Sequence, residues 1–153
     1  MEDNTSPWSP KIDISIVLPV HNQEKIIGKV IRGIVENASD SVIEMFVILG
    51  DCTDNSEDVM LKNLVGKRDS LKVKIVYSKY SDKLILCNIG CESSEHEYSL
   101  IVPDNMIIDE PDFDQRLFRS FEGNVDGARN GTTLVLLENS KLTELNFDDI
   151  VDE

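Results

Sequence analysis

The side chains best suited to chemistry in this sequence fall in four short segments. Pro19-Val20-His21-Asn22-Gln23-Glu24 sets an imidazole, two carboxamides and a carboxylate side by side. Gly50-Asp51-Cys52-Thr53-Asp54-Asn55-Ser56 is a run of small polar and acidic groups. Lys83-Leu-Ile-Leu-Cys-Asn-Ile-Gly90 offers a cation and a thiol, and Glu97-Tyr-Ser-Leu-Ile-Val-Pro-Asp-Asn-Met106 carries Asp104 and Asn105 near its end. Carboxylates and carboxamides are the oxygen donors that hard divalent cations take. Lysine meets phosphate as a compact point charge, and histidine can hydrogen-bond a base or exchange a proton.

Each feature also has a plainer reading. Pro19 to Glu24 would serve as a strand-to-helix turn if Asn22 caps the helix that follows. His21 is as well suited to a packed, hydrogen-bonded role as to contact with a base. Asp54 reads as an N-cap, which leaves Asp51 as the better ligand candidate. Asp104 at a loop start would ordinarily be solvated, and Lys83 at a helix start needs no ligand. Asn88 and Gly90 suit close helix packing. Cys87 and Cys91 stand one helical turn apart with His96 nearby, but a zinc site needs a fourth ligand, so buried thiols are expected. Cys52 has no histidine placed to activate it.

Regular elements must bring these groups together. Ile14 to Leu18 is a dense β-branched run closed by Pro19, as expected of a buried parallel strand. Apolar Ile26, Ile27, Val30, Ile31 and Ile34 recur at helical spacing between Gln23 and Glu36. Further strands are expected at Val42–Leu49, Leu71–Tyr77, Tyr98–Val102 and Thr132–Leu137. Helices are expected after Asp54, over Lys83–Glu92 and over Pro111–Phe121. Strand and helix alternate, which predicts a mostly parallel sheet covered on both faces. In such sheets ligands sit at the carboxyl ends of the strands, where all four chemistry-bearing segments fall.

In this order the four segments resemble the signatures of family 2 glycosyltransferases. Ile14 to Glu24 is similar to an opening strand that ends Pro-x-Tyr/His-Asn-x-Glu, and Gly50 to Ser56 is similar to the acidic second signature. Lys83 to Gly90 is similar to the Ala-Arg-Asn-x-Gly helix. Glu97 to Met106 stands where the family's strand ends in Asp-x-Asp. The resemblance runs from about residue 13 to residue 113. It implies an α/β three-layer sandwich of GT-A type, truncated to its nucleotide-sugar-binding half. It further implies that Pro19, Val20, His21, Asn22, Glu24, Asp51 and Lys83 hold a nucleotide diphosphate sugar, and that Asp104 and Asn105 hold Mg or Mn bridging the two phosphates. The implied reaction is transfer of the sugar to an acceptor that the sequence does not identify. A hard cation would stabilise the diphosphate as leaving group.

The chain departs from the pattern in places. Leu49 and Gly50 stand where acidic residues are usual, Cys87 replaces the arginine, and Pro103 and Asn105 replace the two aspartates around Asp104. Asp109, His96 or the substrate phosphates would have to complete a metal site. No catalytic base is identified. Two other readings therefore stand beside the transferase: a non-catalytic GT-A-like binding module, and a fragment of a larger transferase. In the second case the remaining half, or a homodimer, would cover the exposed packing face.

Composition narrows the partners. A formal charge of -14 over 153 residues argues against nucleic acid, whose binders present a basic face, and against anionic lipid. There is no apolar signal region at the start and no stretch long enough to span a membrane. Three cysteines form an odd set, expected to be reduced thiols in the cytoplasm. The expected organisation is a flexible lead-in over 1–11, one domain over 12–144 and an acidic tail over 145–153.

Overall fold

The computed structural model describes residues 13–94, 96, 98–123 and 135–138. Its sheet contains β1 (Ile14–Val20), β2 (Val42–Gly50), β3 (Lys72–Ser78), β4 (Tyr98–Ile101) and β5 (Val135–Glu138), in the order β3-β2-β1-β4-β5. The first four strands run parallel, and β5 pairs antiparallel to β4. Between them lie α1 (Ile27–Asn37), α2 (Ser56–Leu64), α3 (Lys83–Ser93) and α4 (Phe113–Gly123). The expected alternation and parallel sheet are what the chain forms.

The interior strands read as near-continuous apolar runs because both of their faces are covered. Every residue of β1 is buried, and so is every residue of β2 except Ile43. Side-chain alternation sorts the layers. Ile16, Leu18, Met45 and Val47 point to the face covered by α1, α2 and α4, and Phe46 and Ile48 point to α3 through Leu86. At the outer edge, β3 is partly exposed and carries Lys72 and Lys74, charges that discourage pairing with another strand.

Two boundaries differ from expectation for identifiable reasons. β1 continues through Pro19 to Val20, which pairs with Leu49. Its partnership with β4 ends at Val17, so the N–H that Pro19 lacks falls beyond the end of β4, where no ladder bond is lost. α1 begins at Ile27 rather than Gln23. The preceding residues are drawn toward the next loop instead: Gln23 N–H donates to Ser56 Oγ at 2.7 Å and Glu24 N–H to Asp54 Oδ2 at 3.1 Å. The expected start of β5 at Thr132, the lead-in and the acidic tail lie outside the described residues.

α3 lies very close to β1. A Cβ added to Gly90 would stand 2.3 Å from Val17 Cγ1, so glycine is what lets the helix approach. The packing role expected of Gly90 is therefore present. At the other end of the helix, Asp82 accepts from Leu84 N–H at 2.8 Å and caps α3, which fixes Lys83 in its first turn.

Candidate functional site

Three loops and the start of α3 meet at the carboxyl ends of the parallel strands. Residues 21–26 follow β1, residues 51–55 follow β2, and residues 102–112 follow β4. His21 joins two of them. Its backbone N–H donates to Asp104 Oδ2 at 3.0 Å, and its Nδ1 lies 2.7 Å from the Gly50 carbonyl. A carbonyl only accepts, so Nδ1 is the donor in this contact. The ring is therefore a packed, hydrogen-bonded bridge between β1 and β2.

Asn22 adopts a left-handed conformation, φ 50°, which asparagine tolerates better than most residues. Its Oδ1 accepts from Thr53 N–H at 2.8 Å and Asp54 N–H at 3.3 Å, and its Nδ2 donates to Thr53 Oγ1 at 3.2 Å. Asn22 therefore clamps the second loop and does not cap α1, whose N-cap position is Ile26 with no side-chain bond. Glu24 repeats the pattern, accepting from Asn55 N–H at 3.0 Å. Asp54 was expected at the N-cap of α2, but Asn55 occupies that position. From one residue earlier, Asp54 still accepts from Ser56 N–H at 2.9 Å. Burial pushes its carboxyl up, and the hydrogen bonds from Ser56 and Glu24 outweigh burial and hold it below the usual carboxylate range.

Asp104 is the centre of this end of the molecule. It is 1% exposed rather than solvated. Its Oδ1 accepts from Lys83 Nζ at 2.9 Å and from Gln23 Nε2 at 3.4 Å, while Oδ2 takes the His21 N–H. Sequence reasoning had both charged members but not their pairing, and it missed Gln23, although that residue stands inside the first signature segment. Asp51 and Asn105 are exposed, and Asp51 adopts φ 49° with its N–H bonded to the Ser78 carbonyl at 2.8 Å. Pro19 and Val20 are buried in β1. Among the described residues, no group of three or more His, Cys, Asp or Glu side chains is placed to hold a metal ion.

Burial disfavours the thiolate form of all three cysteines. Burial pushes Cys87 up to about 11 and Cys91 up to about 12, which leaves both protonated at neutral pH. Cys52 lies beside the site with its Sγ 3.6 Å from the Val20 carbonyl, and burial raises it as well. His96 does not assist Asp104. It lies at the amino ends of the strands, with Nδ1 2.8 Å from Glu44 Oε2 and 3.0 Å from Ser15 Oγ. Ser15 Oγ donates to the same Glu44 oxygen at 2.7 Å, and Lys74 Nζ lies 3.3 Å from the other. The sequence does hold one signal for this cluster: Glu44 interrupts an apolar strand, and a carboxylate buried there requires partners. A depression of about 410 Å³ between α1, α2 and the loop after β4 is lined by Glu24, Lys29, Arg32, Asn63 and Ile107 among others, and neither Asp104 nor Lys83 is part of its lining.

No protein-family model matches the chain, and no curated protein sequence matches it. Solved structures do. A mannosyltransferase from Pyrobaculum calidifontis, in complex with GDP-Man and Mn2+, is similar over 74% of this chain and 33% of that one, with TM-score 0.65 and 15% identity. TarS from S. aureus matches over 73% of this chain and 32% of its own, with TM-score 0.58 and 18% identity. Glucosyl-3-phosphoglycerate synthase from Mycobacterium tuberculosis, in complex with Mg2+ and UDP, matches over 74% and 39%, with TM-score 0.54 and 17% identity. The chain spans about a third of the length of these proteins. Among its described residues no helix is long and apolar enough to cross a membrane. Four parallel strands, their helices and these structural matches together give the chain the GT-A glycosyltransferase fold over about three-quarters of its length.

Proposed function

We propose that the chain is the donor-binding half of a family 2-like glycosyltransferase, holding a nucleotide diphosphate sugar at the carboxyl ends of β1, β2 and β4. One observation carries the reading. Four segments far apart in sequence, 19–24, 50–56, the start of α3 and 103–105, converge on one end of a parallel sheet and are tied by hydrogen bonds through Asn22, His21 and Asp104. That is the end where α/β sheets take their ligands. In this reading the exposed Asp51 and the loops clamped by Asn22 and Glu24 receive the nucleoside, and Lys83 faces the diphosphate. A nucleoside diphosphate leaving group supports sugar transfer. The acceptor and the catalytic base would come from chain beyond this half, or from a second copy. Three free cysteines fit a cytoplasmic setting.

A second reading, a GT-A-like module that binds without turnover, is favoured by the engagement of both Asp104 oxygens with protein donors. The two readings share the nucleotide site, which is tested first. Calorimetric titration with UDP, GDP, ADP and their sugar conjugates should give micromolar binding of one base. Heats of dilution alone across the whole panel would reject the donor site. If a sugar conjugate binds, its slow hydrolysis or transfer separates the transferase from the silent module.

A further inference from the structure

The fold's nucleotide-sugar enzymes can carry a divalent metal, as the Mn2+ and Mg2+ complexes above do, but the residues here do not fit one. Asp104 has its Oδ2 on the His21 N–H and its Oδ1 between Lys83 Nζ at 2.9 Å and the Gln23 amide at 3.4 Å. Mg or Mn would have to approach the same carboxylate at about 2 Å and complete a shell of oxygen donors. An ammonium already occupies the approach, and a dication beside it would meet like charge. The flanking positions do not compensate: Pro103 has no side-chain donor, Asn105 is exposed and neutral, and His96 belongs to the amino end of the sheet.

Resting on the nucleotide-binding reading, we infer that the site is metal-independent, with the Lys83 ammonium, pinned by Asp104, supplying the positive charge that meets the diphosphate. Its charge arithmetic supports this. A divalent cation between two carboxylates is neutral before the nucleotide arrives, and so is one ammonium on one carboxylate. Asp104 is buried while the Lys83 side chain stays 37% exposed, so the cation is anchored from below and open to solvent above. Its position is set twice, by the Asp82 cap of α3 and by the Gly90 contact with β1. A lysine ammonium has three donors. One is spent on Asp104, which leaves two for phosphate oxygens.

The test titrates UDP, GDP, ADP and their sugar conjugates into the full chain in EDTA and again in Mn2+, and follows free Mn2+ alone by its EPR signal in the presence of protein. The inference expects equal nucleotide affinity in both buffers, within about twofold, and an undiminished free-Mn2+ signal. Lys83→Met should weaken binding at least tenfold in either buffer. Asp104→Asn keeps an acceptor for His21 but turns an amide toward Lys83, which unpins the ammonium while keeping its charge, so it should cost less than Lys83→Met and remain EDTA-insensitive. Binding that appears only with Mn2+ would overturn the inference and leave the nucleotide site standing. Binding indifferent to Lys83→Met in a folded variant would overturn it too. Absence of binding in both buffers would remove the nucleotide reading itself and this inference with it.

Discussion

The two ends of the parallel sheet each bury a carboxylate, and they hold it differently. At the amino end Glu44 is 4% exposed and lies among Ser15, His96 and Lys74, side chains projecting from or beside three other strands. At the carboxyl end Asp104 is as deeply buried, but its partners are a backbone N–H, one amide and one half-exposed lysine, all from loops or a helix start. The first arrangement ties strands to one another, with Lys74 58% exposed at the edge of the sheet. The second positions a cation and three loops around a surface that remains open. Burial of a charge alone therefore does not mark a site. What marks it is whether the partners come from the strands themselves or from the loops gathered at the strands' carboxyl ends.

Breaking the amino-end cluster should have the largest effect on stability. Glu44→Ala leaves polar partners without their shared acceptor and is expected to cost about 3 kcal/mol by chemical denaturation, with no change in nucleotide affinity. A loss of affinity as large as the loss of stability would erase the distinction between the ends. Gly90→Val drives a side chain into Val17 and should cost about 2 kcal/mol. Because α3 carries Lys83, the same variant should also weaken nucleotide binding, a coupling that Glu44→Ala should lack.

Smaller effects separate the loops from the strands. Asn22→Gly keeps the left-handed backbone but removes the clamp on Thr53 and Asp54. It should cost about 1 kcal/mol of stability and weaken nucleotide binding several-fold, measured by the same titration. The smallest signal is in the acid limb of stability. Burial raises Glu44, but Ser15, His96 and Lys74 outweigh it and hold its carboxyl below the usual range. As pH falls, the unfolded chain takes up this proton before the folded chain does, so the stabilisation is present above the ordinary glutamate range and lost below it. Glu44→Gln should flatten that limb of the stability curve. An unchanged slope would show that other carboxylates carry it.

Much of this was legible in the sequence because it depends on local pattern. The apolar runs of β1 and β2, the helical spacing of Val30, Ile31 and Ile34, and the order of the signature segments gave the sheet and the end at which the loops gather. What was not legible depends on partners far apart in the chain. Asn22 and Glu24 read as helix-start residues, but their side chains are taken by backbone N–H groups of the loop after β2, and this delays α1. Asp104 read as a loop carboxylate because nothing local announces that Lys83 and His21 will reach it. The lone Glu44 in an apolar strand was a visible anomaly whose partners, Ser15 and His96, only the folded sheet supplies.

The most direct test of the central claim is residue-resolved. Titrating UDP or GDP into 15N-labelled protein, the account predicts amide shift changes at His21 to Glu24, Asp51 to Ser56 and Lys83 to Ile85, with Ser15, Glu44 and Lys74 unmoved. Shifts centred on the Glu44 end, or none anywhere at millimolar nucleotide, would contradict it.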